Sequence, residues 1–296
     1  MEYILGWKKD KFDSRDKYHL TRFKEVPTTF SLGQYLPTVR NQGQQGACTG
    51  FGIGGNLTGT FIQLGIFTEW ASPRWIYNGA RLLEGTLNID AGAEPGDCYK
   101  WLYDNGYLLE RFWKYIDHPL DTNPPSALQY NDAIKDSGFA YYRCIDGVDG
   151  IISALADSHF VSIGTPWPSP WLSNPGKNPL PDITNNTQLC GGHETFLYGY
   201  DKNKALFYGQ NSWGSEWGDN GLFTMPFEAF NVFKKYFGGY DAQYLTLNIS
   251  PKPEPTPTPT PKPTPSTCKW GNGFATILNG IQEIRGRRGR FFYKNP

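Results

Sequence analysis

The segment PKPEPTPTPTPKPTPS, residues 251–266, has proline at every second position. Proline fixes its own φ angle and lacks a backbone N–H, so such a run can form neither a helix nor a hydrogen-bonded central strand. We expect a semi-rigid spacer of about 3.1 Å per residue, roughly 50 Å long when extended. The parts of the chain before and after it must therefore fold separately.

The composition favours a folded body before this spacer. Of the 296 residues, 39% are hydrophobic and 16% aromatic, which is enough for a large core. No apolar run approaches the roughly 20 residues that span a bilayer. The opening MEYILGWKKDKFDSRDKYH is too charged for a secretory signal. The location stays unknown, and we expect the cytoplasm or a virus particle rather than classical secretion.

After an N-terminal arm, residues 1–30, the body consists of two parts with different residue patterns. Residues 31–137 carry three helical patterns, which begin at Cys48, at SPRWIYNGARLLEG and at EPGDCYKWLYDNG. Residues 138–250 carry one helical pattern, GVDGIISALADS, among short β-prone runs: FAYYRCI, HFVSIGTPW, ETFLYGYD, ALFYGQNSW and LFTM. This order predicts an α+β fold with a helical lobe, a mainly antiparallel β lobe and a site in the crevice between them.

The tail, residues 267–296, follows the spacer. Its apolar residues fall at helical spacing: Phe274, Ile277, Leu278 and Ile281. We expect a short amphipathic helix that ends in the basic run RGRRGR. Residues 251–296 hold eight Lys and Arg against two Asp and Glu. The tail either docks to a protein, an anionic surface or a nucleic acid, or is a solvated disordered end.

Cys48 is the strongest candidate for a reactive side chain. The small residues before it suit a tight turn that feeds a helix, whose first N–H groups and dipole favour a thiolate. A thiolate that attacks a carbonyl needs a proton shuttle, and His193, which follows two glycines, suits that role. Asn211 is a candidate to orient the imidazole, with Trp213 beside it to exclude water.

Three blocks of sequence carry a resemblance to a known family. The blocks NQGQQGAC, GGHETFLYGYD and QNSWGSEWGDNG occur in this order, and Cys48 precedes His193 by 145 residues and Asn211 by 163. They resemble the active-site blocks of papain-like cysteine peptidases, especially the bacterial and viral branch. The resemblance covers about residues 25 to 250. It implies a two-lobed papain-like fold and a thiol peptidase that needs no cofactor and no metal.

The resemblance also implies a role for each candidate residue. Cys48 is the nucleophile, His193 the general base and then acid, and Asn211 the group that orients the imidazole. Gln42 donates its side-chain amide, with the backbone N–H of Cys48, to the oxyanion, and Trp213 shields the site. We expect an endopeptidase that hydrolyses peptide or protein substrates through a Cys48 acyl-enzyme, tethered by the spacer to a docking tail.

The sequence departs from the family pattern at four points. Thr49 replaces the tryptophan that usually follows the nucleophile. Gln45 stands where secreted members carry a disulfide cysteine. Glu194 follows the histidine and either raises the pKa of the imidazole or points away from it. Only 47 residues precede Cys48, which leaves no room for a long inhibitory propeptide. Control must then come from a short N-terminal arm, a partner or confinement.

Several alternatives stay open from the sequence. The chain is either a peptidase or a non-catalytic peptide-binding protein on the same scaffold, and an acyl-enzyme could also pass its acyl group to an amine. The string GFGIGG, residues 50–55, is more typical of close helix packing than of a dinucleotide site. Cys190 and His193 lack the further ligands of a metal site. Trp167 and Trp171 either line substrate subsites or cap the β lobe.

Overall fold

The computed structural model describes residues 3–21, 25–135, 138–172 and 178–248, together with the backbone of four strands between residues 267 and 293. The chain forms two compact units, Met1–Pro251 and Lys252–Pro296. The proline-rich spacer, residues 251–266, lies outside the described residues.

The first half of the larger unit is helical and confirms the three predicted helices. They are α1 (Cys48–Gln63), α2 (Pro73–Leu83) and α3 (Pro95–Asn105), followed by the short α4 (Ala127–Asp132). The side chain of Ser72 caps α2 by accepting a hydrogen bond from the Trp75 N–H at 3.2 Å. No helix in the described part of the chain is both long and apolar enough to cross a membrane.

A mixed sheet dominates the second half. Its strands are β1 (Tyr18–His19), β2 (Thr29–Ser31), β3 (Ala140–Cys144), β4 (Val161–Pro168), β5 (Leu189–Asp201), β6 (Leu206–Gln210), β7 (Leu222–Pro226) and β8 (Asp241–Thr246). The order is β1-β3-β8-β4-β5-β6-β7, with β2 also paired to β5, and among these pairs β1 and β3 are parallel. Three helices accompany the sheet: α5 (Gly147–Ala156), α6 (Ser169–Leu172) and α7 (Phe227–Tyr236). The α+β fold predicted from the sequence is thereby confirmed.

The glycines of α1 allow that helix to lie directly on the sheet. A Cβ atom added to Gly52 would come within 2.7 Å of Cγ of Glu194, and one added to Gly55 within 2.4 Å of the Phe196 ring. Both neighbours belong to β5. The string GFGIGG is thus a packing surface, as the sequence favoured, and it fixes the start of α1 beside the middle of β5.

The prediction of an amphipathic helix in the tail is wrong. The backbone there forms an antiparallel sheet of β9 (Thr267–Trp270), β10 (Gly273–Leu278), β11 (Ile281–Arg285) and β12 (Arg290–Tyr293). In the register, Trp270 pairs with Gly273 and Leu278 with Ile281, so only two residues separate β9 from β10 and β10 from β11. The sequences of these connections, Gly-Asn and Asn-Gly, are strong hairpin signals that outweigh the helical spacing.

We expect Gly55→Ala to lower the free energy of unfolding by about 1–3 kcal/mol, because its methyl group would overlap the Phe196 ring. Gly54→Ala is the matched control. A Cβ there would meet its nearest neighbours at 3.5 Å, which is ordinary contact, and alanine favours a helix by about 1 kcal/mol over glycine. Urea unfolding of both variants checks this. Equal stabilities would show that the contact between α1 and β5 tolerates a side chain at Gly55.

Candidate active site

Cys48 is the first residue of α1 and is completely buried. Burial raises the pKa of its thiol to about 12, although hydrogen bonds from the backbone N–H groups of Glu194, Gly6 and Thr49 act in the opposite direction. The N–H groups at the helix start, which we expected to favour a thiolate, therefore have a smaller effect on the pKa than the removal of the thiol from solvent. In this state of the protein the sulfur is a neutral thiol.

His193 on β5 lies next to the residue whose N–H reaches the thiol. Its Nε2 atom lies 2.7 Å from Oδ1 of Asn211, and Nδ1 has no hydrogen-bond partner in the described part of the chain. Trp213 stacks on the ring at 4.2 Å between centroids, and Trp167 meets it edge-on at 4.7 Å. Burial lowers the pKa of His193 to about 3, although the bond to Asn211 raises it. The imidazole is therefore neutral, with Nδ1 free to face a reaction partner.

Gln42 is held in one orientation by hydrogen bonds to both ends of its amide. The Ser212 hydroxyl donates to Oε1 at 2.7 Å. The Nε2 group donates to the carbonyl oxygens of Gln45 at 2.9 Å and Ile4 at 3.0 Å. The amide therefore presents an N–H to a peptide carbonyl of the N-terminal arm.

Residues Tyr3–Asp10, called the cleft segment below, cover the sulfur and the imidazole. Tyr3 stacks on Trp213, with ring centroids 4.4 Å apart and an interplanar angle of 21°. The Gly6 N–H lies against the Cys48 sulfur. The segment thus occupies the crevice in which the sequence placed a site, and it accounts for the complete burial of the thiol.

The cleft segment is held by backbone hydrogen bonds on both of its sides, with an isolated bridge between Trp7 and Ala93. The Trp7 N–H donates to the Gly192 carbonyl at 2.9 Å, and the Ala93 N–H donates to the Gly6 carbonyl at 2.9 Å. The Trp7 indole N–H donates to Oδ2 of Asp241 at 3.0 Å. Backbone bonds to both halves of the larger unit hold the segment by a pattern that needs no particular side-chain sequence.

Asp10 anchors the far end of the cleft segment. It lies 2.7 Å from the Arg143 guanidinium, accepts the Gly96 N–H at 2.7 Å, and donates its own N–H to Asp241 at 2.9 Å. Burial, followed by the nearby Asp241 carboxylate, raises the pKa of Asp10 to about 7. The anchor is therefore strongest at acidic pH, where Asp10 is protonated, and weakens as the pH rises through about 7.

The structure resolves two of the open expectations about single residues. Glu194 does not raise the pKa of His193: neighbouring residues of a strand project to opposite faces, and the Glu194 side chain lies over Gly52 of α1 instead. The Gln45 side chain, at the position of the family's disulfide cysteine, accepts the Asp121 N–H at 3.4 Å and donates to the Ile116 carbonyl. A polar bridge thus ties the turn before Cys48 to that loop.

Two contributions to the site were missed by the sequence interpretation. Trp167 and Trp171 are both fully buried in the core of the β lobe, and Trp167 also contacts the imidazole, a contact that the sequence did not indicate. The sequence suggested the N-terminal arm only as one of three alternative means of controlling activity. The segment fits the crevice through contacts between residues that are 38 or more positions apart in the sequence, such as Ile4 and Gln42, and local sequence patterns do not reveal such contacts.

No group of three His, Cys, Asp or Glu side chains among the described residues could hold a metal ion.

Comparisons with known proteins agree with this geometry. No family model matches the chain. An uncharacterised peptidase C1-like protein of Acanthamoeba polyphaga mimivirus is 28% identical over 209 residues, which cover 67% of each chain. The crystal structure of xylellain, a cysteine protease from Xylella fastidiosa, is 27% identical, with a TM-score of 0.73 over 82% of this chain and 95% of that one. Digestive procathepsin L 3 of Tenebrio molitor, 17% identical, shares the fold with a TM-score of 0.64 over 78% and 74%.

We expect Trp7→Ala to raise the rate at which iodoacetamide alkylates Cys48 by about tenfold or more, because the cleft segment loses its indole contacts and opens more often. Intact-mass kinetics at pH 7.5 measures the rate. Phe12→Ala is the control, since that ring lies on the same arm and is 84% exposed. A rate for Trp7→Ala that matches the wild type would mean that the indole does not hold the segment in place.

Proposed function

We propose that this chain, a member of the papain-like cysteine peptidase family, cleaves internal peptide bonds through an acyl-enzyme on Cys48. The observation that supports this most directly is the Ile4 carbonyl, which accepts a hydrogen bond from Gln42 Nε2 at 3.0 Å. It is a peptide carbonyl held by a fixed donor in the same cleft as a thiol and an imidazole. Its oxygen stands in for that of a scissile bond.

The first half of the reaction follows from the positions of these groups once the cleft segment has left. Nδ1 of His193 takes the thiol proton, and the sulfur attacks the carbonyl carbon of the substrate. The negative charge that develops on the carbonyl oxygen is stabilised by Gln42 Nε2 and the backbone N–H of Cys48. The imidazolium then protonates the leaving amine as the C–N bond breaks, and a thioester remains on Cys48.

The second half releases the acyl group. His193 takes a proton from water, the resulting hydroxide attacks the thioester, and the sulfur leaves as the product carboxylate forms. Asn211 keeps the imidazole oriented through the 2.7 Å contact with Nε2, and Trp213 stacks on the same ring. Departure of the cleft segment rehydrates both groups, which lowers the pKa of the thiol and raises that of the imidazole, so that an ion pair becomes accessible.

We expect a peptidyl epoxide to add once to the wild-type chain and not at all to Cys48→Ala or His193→Ala, as read by intact mass. Cys190→Ala, which removes an exposed cysteine, should be modified like the wild type. Gln42→Ala should lower kcat for an internally quenched peptide by roughly 100- to 1000-fold, because one oxyanion donor is lost.

Two results would contradict the proposal. If Trp7→Ala binds peptides but neither reacts with the epoxide nor cleaves them, the chain is a peptide-binding protein on a peptidase scaffold. If cleavage in the presence of an added amine gives mainly the amide, the acyl group is transferred rather than hydrolysed.

We further propose that the proline-rich spacer tethers the peptidase to a tail that docks on an anionic surface. The excess of eight basic over two acidic residues in 251–296 supports this. We expect joint replacement of Arg287, Arg288 and Lys294 by glutamine to abolish co-sedimentation with phosphatidylserine vesicles at low salt while leaving cleavage of a short peptide unchanged. Failure of the wild-type chain to co-sediment would remove this part of the proposal.

A further inference from the structure

The peptide unit between Gln45 and Gly46, in the turn that leads to Cys48, is hydrogen-bonded at both ends. Its carbonyl oxygen accepts a hydrogen bond from Gln42 Nε2 at 2.9 Å. Its N–H group donates to Oδ2 of Asp90 at 2.8 Å. A trans peptide is planar, with its C=O and N–H groups pointing in opposite directions, so the two bonds together fix the rotation of the plane. Asp90 and Gln42 are thus connected through one rigid group.

Asp90 is held in place by two side chains of α2. The Tyr77 hydroxyl donates to Oδ1 of Asp90 at 2.5 Å. The Arg81 guanidinium donates to the carbonyl oxygens of Leu87 and Ile89, each at 3.2 Å, and so holds the loop that carries Asp90. The same guanidinium lies 4.3 Å from the centre of the Tyr77 ring. Because Tyr77 and Arg81 are both fully buried, the position of the carboxylate is set by the helical core.

The Gln42 amide depends on the Gln45 carbonyl for its orientation. Nε2 carries two hydrogens, of which one is bonded to that carbonyl and the other to the Ile4 carbonyl, which occupies the place of a substrate oxygen. Without the bond to Gln45, the amide would be held through its oxygen by Ser212 alone. Hydrogen bonds in a chain also polarise one another, so a carboxylate that accepts the Gly46 N–H makes the Gln45 carbonyl a stronger acceptor.

The two donors that meet Asp90 belong to buried residues, whereas Asp90 itself is exposed. Gly46 and Tyr77 are buried, and both direct a polar hydrogen at the carboxylate. Removal of the carboxylate would leave these donors without their acceptor, which is costly for buried groups. An exposed side chain, in contrast, adds little to the packing of the core. We therefore expect a change at Asp90 to act on the turn before Cys48 and to leave the rest of the fold intact.

We propose that Asp90 is a positioning residue for the oxyanion donor: it holds the Gln45–Gly46 peptide and, through that peptide, the Gln42 amide in the orientation that meets the developing negative charge. The inference rests on the proposed function. Asp90 acts through Gly46 and Gln45 and needs no contact of its own with the substrate. Because the oxyanion forms only as the bond is attacked, Asp90 contributes to kcat and leaves KM nearly unchanged.

The first test measures cleavage of an internally quenched peptide by the full chain, with every variant made in the Trp7→Ala background. We expect Asp90→Ala to lower kcat by about tenfold, less than the loss of the donor itself, with KM within about twofold of the parent. Asp90→Asn should restore kcat to within about threefold, since its oxygen can accept the Gly46 N–H and its amide can donate to the Tyr77 hydroxyl. Asp104→Ala, which removes an exposed carboxylate of α3, is the matched control.

Two further measurements separate positioning of the donor from general support of the fold. Iodoacetamide alkylates Cys48 by direct displacement of iodide, in which the sulfur–carbon bond forms as the carbon–iodine bond breaks and no oxyanion arises. Asp90→Ala should therefore be alkylated at the rate of its parent. In a Gln42→Ala background, Asp90→Ala should lower kcat by less than about twofold, because the group that Asp90 positions is already absent.

The outcomes separate this inference from the proposed function. An unchanged kcat in Asp90→Ala overturns the inference and leaves the peptidase in place. So does a fall in kcat that alkylation matches, or one that is equally large with and without Gln42. If thermal unfolding shows that Asp90→Ala is not folded, the same comparisons with Tyr77→Phe, which frees the carboxylate, decide. If no peptide is cleaved and the epoxide does not add to Cys48, the proposed function fails and the inference fails with it.

Discussion

The close approach of α1 to β5 is the contact on which the rest of the site depends. It places the first residue of the helix beside the middle of the strand, so that Cys48 and His193, 145 residues apart in sequence, share one crevice. Glycines at the contact, such as Gly52 and Gly55, make the approach possible, since a methyl group at either would overlap β5. The two candidate side chains are thus brought together by the absence of side chains at these glycines as much as by the positions of the sulfur and the imidazole.

Burial by the cleft segment sets the protonation of that pair. Cys48 has a raised pKa of about 12 and His193 a lowered pKa of about 3, both chiefly through loss of solvent. The helix start and the Asn211 bond act in the opposite direction but are weaker than desolvation. The same groups are therefore neutral when covered and able to exchange a proton when exposed. Occupancy of the crevice decides which chemistry they can perform.

The sequence predicts the helices and most strands because their patterns are local. Ser72 and Pro73 mark the start of α2, and the β-prone runs between glycines and prolines mark β3 to β7. The tail misled the interpretation because apolar spacing was given more weight than the Asn-Gly pair at residues 279 and 280. The three blocks also single out Cys48, His193, Asn211 and Gln42, since each block is contiguous.

What the sequence could not supply is pairing at a distance. Gly164 is directly opposite both Asp241 and Glu194 only because β8, β4 and β5 lie side by side, although β4 and β8 are separated by three strands along the chain. The orientation of the Gln42 amide likewise depends on Ser212, 170 residues away. Such relations are set by strand order and register, which propensities of single segments do not determine.

The covalent connection between the cleft segment and the crevice has a further consequence. An inhibitor that is part of the same chain acts at an effective concentration on the order of millimolar, whatever the protein concentration. Dilution therefore leaves the balance between covered and open enzyme unchanged, in contrast to inhibition by a separate protein. A peptide substrate competes with this internal ligand, so its apparent KM equals the intrinsic value divided by the fraction of molecules that are open. The turnover rate per molecule then depends on the local concentration of substrate and not on the concentration of the enzyme.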